Sequence, residues 1–406
     1  MVIMFVLLLI IFEGGWSEGC LDHERFALLQ LKHFFNDPVN YLHDWVDAKG
    51  ATDCCQWANV ECNNTTGRVI QLYLSNTRSM ELEEWYLNAY LFTPFQQLES
   101  LSLSANNIAG CVENEGLRKL KSLDLSDNKL NHSIISSLMV FSSLRELYIS
   151  NKDSKEHSMF ESMGSFPSLN TLYLMENNFT ETVTTTAQGF PHFKSLEHLD
   201  MSYAHIALNT NFLQIIGESM PSLKHLSLSN FSPSNDSWTL NQELHNFTNL
   251  EYLRLDSSSL HISLLQSIAS IFPSLKNLWI YDCEVNGVIR GQGFPHFKSL
   301  EHLQMEDAQI AHNTSFLQII RESMPSLKYL SLSYSTLGTN TSRILDQGPF
   351  RLPIHSHKSL RLLDVSNNNF QGCIPVEIGD ILPSLSCFNI SMNALDGSIP
   401  SSFGNM

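Results

Sequence analysis

Cations are scarce in this chain of 406 residues, where 24 Lys and Arg face 41 Asp and Glu for a formal net charge of −17. A basic nucleic-acid surface is excluded by that balance, and polybasic attraction to anionic lipid is disfavoured, because both need clustered cations. Charged residues of either sign make up only 16% of the chain while hydrophobic ones reach 43%, a composition that folds rather than one that stays disordered. No apolar run attains the roughly 20 residues of a membrane helix. Also missing are His-Glu-x-x-His, Gly-x-Ser-x-Gly, a phosphate-binding glycine loop and any kinase signature. The 16 His are scattered without ligand spacing, so the reading assigns no catalytic residue, no metal site and no cofactor; His198 and His302 read as exposed contact residues. Length alone suggests about two or three domains, unless the chain is a repeat array.

Val2 to Phe12 is an apolar run that ends at Glu13, with small residues at Gly14, Gly15, Ser17 and Gly19. It reads as a signal peptide over residues 1–19, although its start lacks Lys or Arg. Half of the eight cysteines, Cys20, Cys54, Cys55 and Cys62, follow at once, as in an oxidised cap; zinc is the competing reading, which vicinal cysteines and an export signal disfavour. Vicinal Cys54 and Cys55 strain any bridge between them. The expected pairs are Cys20–Cys54, tying a helix to the sheet, and Cys55–Cys62, closing a short loop around Trp57; Cys20–Cys55 is the alternative pairing. Cys111, Cys373 and Cys387 cannot be paired from sequence. The helix is expected over Asp22 to Phe35, with Asp22 as N-cap and Phe26, Leu28, Leu29, Leu31, Phe34 and Phe35 on a broad apolar face, stopped by Asn36-Asp37-Pro38.

From Val69 onward one pattern recurs, Leu-x-x-Leu-x-Leu-x-x-Asn-x-Leu, with clear copies starting at Leu98, Leu120, Leu144, Leu169, Leu196, Leu223, Leu250, Leu275, Leu300, Leu327, Leu360 and Leu385. This is the leucine-rich-repeat period. It predicts an α/β solenoid of about 13 repeats over residues 63–406, a curved parallel β-sheet on the concave side, with a disulfide-bonded helical cap at 20–62. Stacked at roughly 4.8 Å, the strands would span about 58 Å. Three residues before the first Leu stand Phe95, Phe141, Phe166, Phe193, Phe247, Phe272 and Phe297, with Met220, Met324 and Leu382 substituting; these read as core. After each strand come Asn106, Asn128, Asn177, Asn368 and Asn393, whose amides can satisfy open backbone groups. Cys283 occupies the same column and reads as structural, with a reactive thiol as the other reading.

Cys54-Cys55-Gln56-Trp57 with Val60 and Cys62, and Gly372-Cys373-Ile374-Pro375 and Gly397-Ser398-Ile399-Pro400 with Gly379 and Gly404, resemble the cap and half-repeat of plant leucine-rich-repeat proteins. The whole chain resembles the N-terminal part of a plant receptor-like protein, although the repeats after Ile206 and Ile310 depart from Gly-x-Ile-Pro. The resemblance implies extracellular recognition of a peptide or protein in defence or development, with no catalysis. A membrane helix and a partner co-receptor kinase are implied if a longer form exists. It places the protein in the secretory pathway, at the plasma membrane in a full-length form and secreted if this chain is complete. A secreted inhibitor of a microbial cell-wall-degrading enzyme, resembling polygalacturonase-inhibiting proteins, is the alternative, and a non-functional duplicated fragment the third reading.

Residues 188–230 match 292–334 at 34 of 43 positions. The nine differing pairs are Asp200/Gln304, Ser202/Glu306, Tyr203/Asp307, His205/Gln309, Leu208/His312, Asn211/Ser315, Gly217/Arg321, His225/Tyr329 and Asn230/Tyr334. Six of these fall on or just beyond the outward strand face, through either drift on tolerant positions or a change of specificity. The candidate ligand face is Tyr252, Arg254, Asp256, Asn277, Trp279, Tyr281, Asp282, His302, Gln304, Glu306, Asp307, Tyr329 and Tyr334. Aromatics beside carboxylates suit a peptide with basic and apolar side chains and not polyanionic pectin; an ordinary solvated face is the other reading. Glycosylation sequons stand at Asn63, Asn64, Asn131, Asn178, Asn230, Asn235, Asn246, Asn313, Asn340 and Asn389. The chain is expected to lack a C-terminal cap and to be truncated, which would leave Ile390, Leu395 and Ile399 without a following coil.

Overall fold

The computed structural model describes residues 20–47, 53–79, 81–112, 117–131, 134–150, 163–179, 192–206, 212–229, 247–261, 268–289, 296–307, 309–312, 316–334, 336–338 and 349–406. The expected signal segment 1–19 lies outside these residues. Two compact units divide the chain, Met1–Tyr173 and Leu174–Met406.

In the first unit, helix α1 (Asp22–Phe35) precedes strand β1 (Val60–Cys62), which pairs antiparallel with β2 (Val69–Tyr73). Parallel strands β3 (Ser100–Ser102), β4 (Ser122–Asp124), β5 (Glu146–Tyr148) and β6 (Thr171–Tyr173) continue the sheet. The second unit carries eight strands in chain order: β7 (His198–Met201), β8 (His225–Ser229), β9 (Tyr252–Asp256), β10 (Asn277–Tyr281), β11 (His302–Glu306), β12 (Tyr329–Ser331), β13 (Leu362–Asp364) and β14 (Cys387–Asn389). From β3 onward every strand opens two residues after the first Leu of its repeat. Leu-x-Leu alternation then turns the second and third leucines inward, so that Leu101, Leu123, Leu147, Leu172, Leu226 and Leu330 are buried. The phenylalanine column is buried with its Met and Leu substitutes, and Phe247 meets Phe272 edge to face at 5.0 Å.

Where the corner after a main strand is described, it is left-handed. Ala105, Asp127, Glu176, Ser257, Asp282, Asp307, Tyr334, Asn367 and Met392 all take φ between 45° and 58°, a conformation costly for residues with a Cβ. The Asn column holds this turn. Asn128 donates through Nδ2 to the carbonyls of Leu103, Leu125 and Ser126 at 3.0–3.1 Å, and its Oδ1 accepts from the Asn106 and Ile108 amides. Asn106, Asn368 and Asn393 repeat the pattern. Cys283 imitates it with sulfur, donating toward the Leu255 and Tyr281 carbonyls and accepting from the Ser258 amide. Burial pushes its thiol up to about 11.

After the corner the chain forms short second strands that the repeat pattern did not announce. Ser259–His261, Glu284–Ile289, Gln309–His312 and Thr336–Gly338 pair in parallel, as do Trp85–Asn88 with Ile108–Val112, Asn178–Phe179 with His205–Ile206, and Gln371–Cys373 with Ala394–Asp396. In the last pair Gly372 and Gly397 take φ of 77° and 86°, which explains the glycine of Gly-x-Ile-Pro.

The cap carries both expected disulfides, Cys20–Cys54 and Cys55–Cys62. Two local expectations fail. Leu21, not Asp22, is the N-cap of α1 and makes no side-chain cap bond, while Asp22 lies inside the first turn. Phe26 is 51% exposed under the Arg25 guanidinium, because the buried stripe runs instead through Glu24, Ala27, Leu28, Leu31 and Phe35. Glu24 belongs to that stripe since its carboxylate accepts from Arg68 Nε at 2.9 Å and from the Val69 amide at 3.2 Å. At the other end, Ile390 and Leu395 are half-buried and Ile399 is exposed.

Candidate functional site

The face of the second unit's main sheet opposite its core presents three columns of side chains. Register aligns His198, His225, Tyr252, Asn277, His302 and Tyr329 in the first, and Asp200, Ser227, Arg254, Trp279, Gln304 and Ser331 in the second. Ser229, Asp256, Tyr281 and Glu306 begin the third. Parallel strands about 4.8 Å apart bring like-placed rings into contact. His198 stacks on His225 at 5.2 Å, His225 on Tyr252 at 5.5 Å, and His302 on Tyr329 at 4.3 Å. Tyr252 tilts against Trp279 at 5.8 Å, and the Arg254 guanidinium lies 5.9 Å from the Trp279 ring centre. Burial lowers the His225 and His302 pKa values and raises that of Tyr252, so near neutral pH these three rings are uncharged.

The candidate ligand residues fall into two groups. Tyr252, Arg254, Asn277, Trp279, His302, Gln304 and Glu306 are half-buried on the strands, while Tyr281, Asp282, Asp307, Tyr329 and Tyr334 are exposed on or beside them. Asp256 departs from the expectation of an outward contact residue. It is fully buried, because Arg254 Nε reaches both its carboxylate oxygens at 3.0 and 2.8 Å. Burial pushes this carboxyl up, opposed by the bond from Arg254. The pair therefore supplies a rigid support under Trp279, with its own charges cancelled. Glu306 accepts from Gln304 at 2.6 Å and Asp282 from Ser257 at 3.1 Å. No cation among the described residues pairs with Glu306, Asp282 or Asp307. The result is an aromatic floor beside an uncompensated acidic margin. Asp282, Asp307 and Tyr334 project there because each occupies the left-handed corner.

Comparison with known proteins agrees with the architecture. A leucine rich repeat N-terminal domain model matches residues 21–63, and the leucine rich repeat model matches 119–141, 359–381 and 384–406. The chain has the leucine-rich-repeat fold. Receptor-like protein 9b of Arabidopsis thaliana is 26% identical over 100% of this chain and 46% of its own length. Cuscuta receptor 1 of Solanum lycopersicum is 29% identical over 99% of this chain and 38% of its own. The chain thus spans less than half the length of these curated relatives. Among solved structures, a Leptospira interrogans LRR protein aligns with a TM-score of 0.53 at 23% identity, covering 79% of this chain and 73% of that one, which supports the fold alone.

Sequence reasoning overlooked one feature of the repeats. From Leu196 to Leu327 the residue after the first Leu alternates in sign, as Glu197, Lys224, Glu251, Lys276, Glu301, Lys328, and neighbouring coils pair at 2.7–2.9 Å through Glu197–Lys224, Glu251–Lys276 and Glu301–Lys328. Aligning the repeats on that column would have revealed it. Among the sequons, Asn63 and Asn64 are exposed and Asn63 caps its own turn by accepting from the Thr65 and Thr66 amides. Asn389 lies on β14 with its amide donating to Asp364. Asn230, Asn235, Asn246, Asn313 and Asn340 lie outside the described residues. Those residues also include no group of three or more His, Cys, Asp or Glu that could hold a metal, and no helix long and apolar enough to cross a membrane.

Proposed function

We propose that the outer face of β9 to β12 recognises a peptide or protein ligand outside the cell, as the ligand-reading part of a receptor-like protein, without catalysis. The observation that carries this reading is the juxtaposition of Tyr252, Trp279 and Tyr281 with the carboxylates of Asp282, Glu306 and Asp307, which have no cation partner among the described residues. Aromatic rings held rigid by their neighbours supply apolar contact with little entropy to lose, and Trp and Tyr dominate binding hot spots. Carboxylates without cations favour a ligand with Lys or Arg beside an apolar side chain. Similarity over the whole of this chain to part of plant receptor-like proteins supports an extracellular site, and signalling would then pass through a co-receptor kinase. The test selects a secreted random-peptide library on the purified chain. Enriched peptides should carry basic and apolar residues, and Trp279→Ala with Asp282→Ala should weaken them about 30-fold or more, the scale of a hot-spot pair. Peptides that bind this double variant as well as the parent would place the ligand elsewhere.

A further inference from the structure

The alternating Glu and Lys column ends in an irregularity. After Lys328 the next coil places Arg361 where alternation calls for an acid, and the coil after that places Ser386 there. Backbone bonds hold the three side by side: the Arg361 and Leu362 amides donate to the Lys328 carbonyl at 2.8 and 3.0 Å, and the Ser386 and Cys387 amides to the Arg361 carbonyl at 2.7 and 3.0 Å. A cavity of about 400 Å³ opens at this edge, lined by Lys328, Lys358, Ser359, Arg361, Ser384 and Ser386. Every lining residue is polar and none is acidic.

We propose that this cavity is a binding site for a dianionic tetrahedral oxyanion of the phosphate class. Lys328 is already paired with Glu301 at 2.7 Å, whereas Arg361 and Lys358 have no acidic partner among the described residues. Two positive charges are left unbalanced around one cavity, in a chain whose net charge is −17. Like charges held on adjacent coils repel, and an anion between them removes that cost. The planar guanidinium of Arg361 can present two parallel N–H groups to one oxyanion, and the ammonium groups act as mobile point charges. Exposed Ser384 adds a hydroxyl, while the Ser359 and Ser386 hydroxyls already donate to the Pro325 and Arg361 carbonyls. Without an aromatic or aliphatic wall the cavity offers no platform for an apolar ligand, which points to the oxyanion itself as the recognised group. The site lies at the strand-entry edge, separate from the Trp279 floor, and does not depend on the peptide reading.

Two sources share this chemistry, free phosphate and the phosphate monoester of a sugar. The test is calorimetric titration of the purified chain with inorganic phosphate, and separately with glucose 6-phosphate, at constant ionic strength against a chloride blank. Saturable binding is expected for phosphate, for the monoester or for both, and the tighter of the two identifies the source. Lys358→Gln with Arg361→Gln should weaken it about 100-fold, roughly tenfold for each lost charge-assisted contact. Ser384→Glu, which removes no cation, should abolish it by placing a carboxylate in the cavity. Heats indistinguishable from chloride for both anions, or binding retained in either folded variant, would overturn the proposal.

Discussion

Removing either partner of the Arg254–Asp256 pair should have unequal consequences, and the inequality follows from where each charge sits. The Asp256 carboxylate is wholly buried while the Arg254 side chain is 33% exposed. Asp256→Ala leaves a cation that can turn toward water and keep its contact with Trp279; discounted for that exposure, the cost should be about 1–2 kcal/mol. Arg254→Ala leaves an ionised carboxylate with no counter-charge and only the water that the shortened side chain admits; breaking a buried pair in this way costs up to about 3–5 kcal/mol. The second deficit should also depend on pH. Burial already holds the Asp256 carboxyl above its ordinary range, and losing Arg254 removes the group that opposes this. A carboxyl whose folded pKa exceeds its unfolded one destabilises the fold when ionised, so the deficit is largest at neutral pH. It should shrink as pH falls through the raised folded value toward the unfolded value of about 3.9. Urea denaturation of both single variants and the double variant at pH 7 and pH 5 measures the two costs and their coupling. If Asp256→Ala costs as much as Arg254→Ala at pH 7, or the Arg254→Ala deficit is the same at both pH values, the burial argument is wrong.

Cys283→Asn should be near neutral in stability, because an amide can donate to the same Leu255 and Tyr281 carbonyls, whereas Cys283→Ala should cost about 1–2 kcal/mol in denaturant melts by leaving them open. Native Cys283 should resist thiol reagents on the minute scale, since its thiol is buried and pushed up to about 11; rapid labelling there would contradict its structural role. Gly217→Ala should cost about 1–3 kcal/mol by overpacking, because an added Cβ would stand 2.8 Å from the Phe247 ring. At the duplicated position Arg321→Ala should cost only about 1 kcal/mol, the bond from its Nε to the Ser356 carbonyl; equal losses would refute the packing account. Burial depresses the His225 and His302 pKa values, so their contribution is fully present above the unfolded value of about 6.5 and falls as pH drops below it. His225→Tyr, which imitates Tyr329, should flatten that slope in melts between pH 7 and pH 5.

What could be read from the residues alone was whatever repeats or lies close along the chain. Each strand start, the buried phenylalanine column, the asparagine corner with Cys283 in it, and the two cap disulfides depend on spacing within one coil or one short segment. A solenoid buries each coil only against its neighbours, so the same spacing meets the same surroundings again and again. The failures occur where a side chain answers to a partner rather than to its period. Phe26 fits an apolar helix face by spacing, yet Glu24 takes the buried place because Arg68 and the Val69 amide lie across from it. Asp256 fits an outward strand position by alternation, yet Arg254 covers it. Trp279 became a floor rather than an isolated aromatic because register set Tyr252 and Arg254 against it. The unbalanced cations Lys358 and Arg361 emerge only when adjacent coils are aligned, since charge is neutralised between coils rather than within them. Periodicity decides which way a side chain points. Only the tertiary structure decides what it meets there, and desolvation and pairing energies depend on that meeting.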